Sequence, residues 1–413
     1  MTISTPLLND IRAKFAHVDA CPFQGERIFF ENAGGALTLN SVVSTAAEFA
    51  AIPDNQGRDN PASKALVAII DQAKHDAGIM FGASTGQIFV GESGTELLFR
   101  MIRTACTAST EGSVIGSTVE HPATRSAATY WAGKTGKDYL SVEHDNATGS
   151  VSAGAYAALV RPDTRVATIL HCSPVTGVSN NVPAIVEAIR ETAPECIIIV
   201  DGIQFAAHGA IDIDRYDIDG YAVSPYKVFS RHGYGIAWIS DRLGILQHES
   251  LIDGPATNWE LGTRDTGAYS TFSRVVEYLD WLGSNFTQSS DRRGRIEAAA
   301  SAIQEHEHEL CELMLNGEGN LTGLANLPGV HIIAGTENQN RKGLVCFWKE
   351  GLAAPQIVAK LNDNGVRTHT RKADHYSGNI LSPLGLEACV RVSVCHYNSR
   401  DEVKKLLAVM NQL

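Results

Sequence analysis

Cys196-Ile197-Ile198-Ile199-Val200-Asp201-Gly202-Ile203-Gln204 is an apolar, β-branched run that stops at an acid. A short run of this kind, closed by a glycine, reads as a strand buried on both faces, with Asp201 at its carboxyl end. A second run, Gly220–Val223, is followed by Ser224-Pro225-Tyr226-Lys227 and then by Ser230-Arg231-His232-Gly233-Tyr234-Gly235. The first strand thus ends in a carboxylate and the second leads into an amine. A carboxylate at a buried strand end is costly unless a cation meets it, although Asp201 can also cap the segment that follows.

Working outward, Arg27–Phe30, Gln87–Val90, Ser113–Gly116, Thr164–Leu170, Cys196–Val200, Gly220–Val223 and Tyr234–Ile239 read as strands. Ser63–Met80, Thr95–Thr107, Pro122–Ala132 and Pro183–Thr192, between them, read as helices. The alternation predicts an α/β fold with a mostly parallel sheet covered on both faces. Ligands of such sheets sit beyond the carboxyl ends of the strands, where Asp201 and Ser224 fall. From about residue 267 the pattern changes. Helical stretches Ala268–Leu282 and Arg293–Leu315 precede the strand-like Val330–Ala334 and Gly343–Trp348, then helices at Pro355–Asn364 and Arg400–Leu413. This predicts a smaller α+β domain over residues 276–413, joined by 1–17, beside a large domain over 18–275.

The 413 residues carry a formal charge of -12, which argues against general nucleic-acid binding. No apolar run approaches the length of a membrane span, and the start does not read as a signal peptide. The eight cysteines form no C-x-x-C pair, so reduced thiols in a cytoplasmic protein are the expectation. Glu305-His306-Glu307-His308-Glu309 has poor metal-ligand spacing and reads as a solvated helix face. Gly133-Lys134-Thr135 shares the end of a P-loop, but Ala128 stands where its first glycine is needed. No metal site is expected.

Four further places carry chemistry. Gly91-Glu92-Ser93-Gly94-Thr95-Glu96 leaves a strand and opens a helix, which suits a phosphate as well as a plain N-cap. Ser224 and Tyr226 can add hydroxyl donors. His121, in Glu120-His121-Pro122, starts a helix and can stack on a flat ring or simply cap. Arg391 alternates with apolar residues in Cys389-Val390-Arg391-Val392-Ser393, which fits a carboxylate ligand or a cross-sheet salt bridge. Pyridoxal phosphate chemistry can use the whole set. Lys227 can form an imine with the cofactor aldehyde, and Asp201 can keep the ring nitrogen protonated.

With these motifs in order, the chain resembles the class V aminotransferase family of fold type I pyridoxal-phosphate enzymes, which includes the cysteine desulfurases. The likeness runs from Phe29-Phe30-Glu31-Asn32-Ala33-Gly34-Gly35 through Gly94-Thr95-Glu96, Glu120-His121-Pro122, Asp201-Gly202-Ile203-Gln204 and Ser224-Pro225-Tyr226-Lys227 to Arg391-Val392-Ser393 and Tyr397-Asn398-Ser399. The resemblance implies that Lys227 is the Schiff-base lysine, with Asp201 on the pyridine nitrogen, Gln204 near the ring hydroxyl and His121 stacked on the ring. It implies phosphate contacts from Gly94, Thr95, Ser224 and Tyr226, and substrate contacts from Arg391 and the Asn32-Ala33-Gly34 loop. It also implies a homodimer with shared sites, in which Thr263 or Thr266 of one subunit reaches the other's phosphate.

The chain departs from the desulfurase pattern in two stretches. Val366-Arg367-Thr368-His369-Thr370-Arg371-Lys372-Ala373-Asp374-His375-Tyr376-Ser377 contains no cysteine, and His375-Tyr376-Ser377 stands about where a histidine-cysteine pair belongs. Persulfide chemistry needs a thiolate there. In His171-Cys172-Ser173-Pro174, proline falls near the place of a cofactor-contacting asparagine, and Ser173 is the candidate substitute. The expectation is therefore an enzyme of the desulfurase-like subgroup that acts on a small amino acid, as a lyase performing β-elimination. Transamination, racemisation and β-decarboxylation are the alternatives on the same chemistry. A non-catalytic binding module is the alternative from another class.

Overall fold

The computed structural model describes residues 2–413. Seven strands form the central sheet, in the order Gln87–Gly91, Gly235–Ile239, Gly220–Val223, Ile197–Asp201, Thr164–Leu170, Ser113–Ser117 and Asp138–Val142. The last five of that order run parallel, while Gly235–Ile239 is antiparallel to both of its neighbours. The inner strands are mostly apolar and almost wholly buried because helices cover both faces. Asp138–Val142 escaped the sequence reading. It is an edge strand with Asp138 and Ser141 exposed, so it lacks the continuous apolar run of its neighbours.

The helices that follow the strands have strong start signals. Ser93 Oγ accepts from Glu96 N at 3.1 Å and opens Gly94–Ala108. His121 Nδ1 accepts from Ala123 N at 3.2 Å and, with Pro122 in the first turn, opens Pro122–Lys134. The strand termini and helix starts around Ser93, His121, Asp201 and Ser224 therefore lie at one end of the sheet.

Two further departures from expectation concern chain ends. The strand at Arg27–Phe30 shrinks to Ile28–Phe29 and does not join the central sheet; it pairs in parallel with Val366–Arg367. The apolar residues near the N-terminus divide between two cores. Ile3, Ile11 and Phe15 share a core with Phe229, Tyr278 and Ile303, whereas Phe30 lies in the second core with Leu310, Val345, Val390 and Met410. The C-terminal sheet is antiparallel, in the order Val330–Ile332, Leu344–Lys349, Ala388–Ser393, His369–Lys372.

The run Glu305–Glu309 is a solvated face only in part: Glu305 and His308 are exposed, whereas His306 and Glu307 are buried. It lies in the helix Arg292–Asn316, and the helical period turns Ala302, Ile303, His306, Glu307 and Leu310 inward together. His306 Nε2 meets the carbonyl of Asn398 at 2.9 Å, and Glu307 is 1% exposed. The acid is tolerated inside because His208 meets it.

Candidate active site

Thr95, His121, Cys172, Pro174, Asp201, Gln204, Ser224, Tyr226 and Lys227 line one chamber beyond the carboxyl ends of the strands. It adjoins an outer cavity of about 480 Å³ and shares His121, Pro174, Tyr226 and Lys227 with it. Arg391, Ala33, Gly34, Glu31, Arg367, His369, Arg371 and Tyr376 line that outer cavity. A larger cleft of about 650 Å³, bordered by Lys74, Thr85, Asp214, Trp238 and Arg293, holds none of these groups.

Lys227 follows its strand in a 3-10 turn, Pro225–Lys227, and its Nζ donates to Gln204 Oε1 at 3.1 Å. Burial, and then the nearby Arg391 guanidinium, pull its pKa down to about 8. Asp201 is 2% exposed and accepts from Thr124 Oγ1 and Ile203 N, each at 3.1 Å. Burial raises its pKa, opposed by those two hydrogen bonds and by the charge of Lys227. A buried carboxylate in this state is suited to a cation arriving in the chamber. His121 is held near pKa 4, chiefly by burial and then by the charges of Lys227 and Arg371, so its ring is neutral at pH 7.

On the opposite side the chain closes tightly. A Cβ on Gly94 would lie 2.4 Å from Ser224 Oγ, and one on Gly235 would lie 2.4 Å from the Ser93 carbonyl carbon. Only glycines let the Ser93–Thr95 turn sit against Ser224. Helix amides and two hydroxyls converge there, as an anion site requires.

Arg391 is 3% exposed, and its Nη1 donates to the Pro174 carbonyl at 2.9 Å. Its Nε has no partner, and burial lowers its pKa to about 10. Pro174 thus enters the site through its backbone. Ser173 does not take the place of an asparagine: its Oγ accepts from Val175 N and Thr176 N and closes a turn. Asn32 is buried and occupied, with Nδ2 donating to the carbonyl of Ser393 at 2.7 Å and Oδ1 accepting from Tyr397. It braces the loop that carries Ala33 and Gly34. Thr266 opens the helix Thr266–Gly283 and is not among the residues lining the chamber of its own chain.

Of the loop that lacks a cysteine, Tyr376 reaches the outer cavity, while Ser377 is buried and accepts from Arg371 Nη2. The cysteine in the chamber wall is Cys172, whose thiol burial pushes up to about 12. The sequence reading missed Arg371 and also a hydrogen-bonded chain behind the lysine. Gln204 Nε2 lies 3.3 Å from His208 Nε2, and His208 Nδ1 lies 2.7 Å from Glu307 Oε2. His208 sits four residues after Gln204, a spacing that could have been noticed; Glu307 is 99 residues further on.

The fold and this strand-end site define a class, the fold type I enzymes dependent on pyridoxal phosphate. The family profile described as "Aminotransferase class-V" matches residues 28–406, and the chain belongs to that family. The "Aminotransferase-like protein FGM3" of Gibberella zeae is 26% identical over the full length of both chains. The "Cysteine desulfurase-like protein ustD" of Aspergillus flavus is 25% identical, over 99% of this chain and 92% of its own. Among solved structures, the cysteine desulfurase CsdA of Escherichia coli superposes with a TM-score of 0.79 at 21% identity, covering 98% of each chain. The cysteine desulfurase of Thermococcus onnurineus gives 0.80 at 20% identity, covering 98% of this chain and 97% of its own. The protein is accordingly a pyridoxal-phosphate-dependent enzyme, a lyase or an aminotransferase, and its family acts on small amino acids and is typically dimeric. Among the described residues, no helix is long and apolar enough to cross a membrane.

Proposed function

We propose that the protein is a homodimeric lyase that carries out β-elimination on a small amino acid without forming a persulfide. The observation that carries the reading is the shared chamber of Lys227, Asp201, His121 and Gln204, whose wall offers a single buried thiol. The residues present fit pyridoxal phosphate. Asp201 is a buried acid without a cation, and the Ser93–Thr95 turn with Ser224 and Tyr226 is a donor-rich anion cradle. When bound, the cofactor supplies an aldehyde for amines and a ring that draws electrons from Cα.

In this reading Lys227 would hold the cofactor through its side-chain amine and would move the proton at the substrate Cα. Asp201 would keep the ring nitrogen protonated, and Gln204 would hold the ring hydroxyl. His121, neutral, would cover the ring without adding charge. Gly94, Thr95, Ser224 and Tyr226 hold the phosphate, joined by the partner's Thr266. Arg391 orients the substrate carboxylate beside the Ala33–Gly34 loop. Thr95 is exposed in the single chain, which leaves it open to a second subunit closing over it.

Persulfide chemistry requires an accessible thiolate, and the Cys172 thiol is buried and held neutral. The test is incubation of the cofactor-loaded protein with cysteine and related amino acids. From L-cysteine, pyruvate, ammonia and sulfide in equal amounts are the expected products. Amino transfer that depends on an added ketoacid would favour the aminotransferase reading, and protein-bound sulfane sulfur would overturn the absence of persulfide.

A further inference from the structure

The inner chamber has room for about 50 Å³ and the outer cavity for about 480 Å³, and Arg391 stands in the wall of the outer one. A substrate held at Arg391 therefore has the outer cavity as the space into which a leaving group departs. A thiolate leaves more readily when a proton reaches it as its bond to Cβ breaks. An acid in the outer cavity would serve that step.

Most of the wall cannot supply one. Arg367, Arg371 and Arg391 do not give up their protons. Against the effect of burial, His369 and Arg367 hold Glu31 below the usual carboxylate range, so it has no proton to give at neutral pH. His121 is neutral, and its Nδ1 accepts from Ala123 N. His369 Nδ1 is taken up with Glu31 Oε1, 3.5 Å away. His232 lies flat on Tyr226, with ring centroids 4.3 Å apart at 15°, and Tyr226 is assigned above to the phosphate. Tyr376 remains, a phenol with no such engagement.

Tyr376 belongs to the loop that has no cysteine, and that loop is fixed at several points. Asp374 Oδ1 accepts from Tyr376 N at 2.9 Å, and the Asp374 carbonyl accepts from Gly378 N at 2.7 Å. Ser377 is buried, and its hydroxyl accepts from Arg371 Nη2. Asn379 Nδ2 donates to the Thr118 carbonyl at 2.6 Å, which ties the loop to the turn that leads into His121. The Tyr376 ring accordingly stands beside His121, with centroids 6.1 Å apart. It is 47% exposed, so water can reach it from the open side.

We propose that Tyr376 is a catalytic residue, the general acid that protonates the leaving group of the β-elimination. This rests on the lyase reading. Lys227 takes the Cα proton and passes it to solvent, and the Cα–H electron pair becomes the second bond between Cα and Cβ. The bond from Cβ to sulfur breaks with its pair going to sulfur, and the phenol gives its proton to that atom. The sulfur leaves as a free thiol through the outer cavity, and water returns a proton to Tyr376. Sulfur is thus released, with none kept on the protein.

The test compares leaving groups. Initial rates of pyruvate formation by the cofactor-loaded protein are measured with β-chloro-L-alanine, whose chloride needs no proton, and with S-methyl-L-cysteine, whose thiolate does. Tyr376→Phe should lower kcat on S-methyl-L-cysteine by about 100-fold or more and leave β-chloro-L-alanine within about twofold. Both KM values and the absorbance of the bound cofactor should stay unchanged. A merely structural tyrosine would slow both substrates alike, so an equal loss overturns the proposal, as does an unchanged rate on S-methyl-L-cysteine. His232→Gln should keep the ratio of the two rates; selective loss in that variant gives the role to the histidine and overturns it for Tyr376. A wild type active on β-chloro-L-alanine and inactive on S-methyl-L-cysteine overturns this inference alone. Activity on neither overturns the lyase reading and this inference with it.

Discussion

Gln204 Oε1 accepts from Lys227 Nζ at 3.1 Å, and the other end of the same amide is fixed by a histidine. Its Nε2 donates to His208 Nε2, whose Nδ1 in turn donates to the buried Glu307. The carboxylate thereby sets the histidine tautomer, and the histidine sets which end of the Gln204 amide faces the lysine. His208→Phe should therefore loosen Gln204 and weaken cofactor binding about 10-fold. It would also leave Glu307 buried without a partner, destabilising the fold by about 3–5 kcal/mol. The double variant His208→Phe/Glu307→Leu separates the effects. Thermal denaturation should recover while the cofactor Kd, by fluorescence titration, stays weak.

Lys227→Ala should abolish covalent cofactor retention. After borohydride reduction, mass spectrometry of the wild type should show the cofactor mass on the peptide containing Lys227, and the variant should show none. Label on another lysine would move the site elsewhere.

The rate at which apoprotein takes up pyridoxal phosphate should rise with pH through about 8, the range to which burial and Arg391 bring Lys227. Attack on an aldehyde needs the neutral amine, so the rising limb reports its deprotonation. Arg391→Gln removes the nearby positive charge and should move the inflection upward. A stopped-flow profile that is flat from about pH 6.5 to 9.5 contradicts this role for the lysine.

Asp201 is useful to the cofactor and unfavourable to the empty fold. Asp201→Asn should cut turnover by about 100-fold or more, since a neutral amide cannot hold the ring nitrogen protonated. The same change removes a buried carboxylate that no cation meets, so the apoprotein should gain about 0.5–2 kcal/mol. Lower activity with a higher apoprotein Tm is the expected pair. A lower Tm would mean that the Thr124 and Ile203 hydrogen bonds outweigh the buried charge.

Glu120 accepts from Thr168 Oγ1 at 2.9 Å and from Ser117 N at 3.2 Å, and burial raises its pKa from 4.5 to about 8. Between those values the native state binds a proton that the unfolded chain has released. Its contribution to stability is therefore fully present below about pH 4.5 and is lost as pH rises through about 8. Glu120→Gln should flatten this part of the pH dependence and stabilise the protein most at pH 8 and above. Denaturant melts at pH 5 and pH 8.5 measure the difference; equal slopes for wild type and variant would contradict it.

The α/β architecture was legible because most strands of the sheet are short and mainly apolar. Thr164–Leu170 and Gly220–Val223 match residue for residue. Asp138–Val142 was not, because an edge strand carries half the burial signal. The strand at Ile28–Phe29 was visible, but its partner Val366–Arg367, more than 330 residues away, was not, so it was assigned to the wrong sheet. Glu307 was misread for a related reason: its neighbours in the chain are charged, and the group that makes it tolerable inside comes from another element.

By itself the sequence determined which groups stand at strand ends and helix starts. Period and capping are local properties, and Asp201, His121, Ser224 and Lys227 are placed by them. The missing loop cysteine is equally a matter of sequence. Only the tertiary structure decided how charges from distant segments meet. Cross-strand register put Arg371 diagonal to Arg391, and chain closure put Glu31 on Arg367 and left Arg371 with only the Ser377 hydroxyl. Local sequence cannot encode which of several like charges is neutralised, because that depends on distances of a few ångströms between elements remote in the chain.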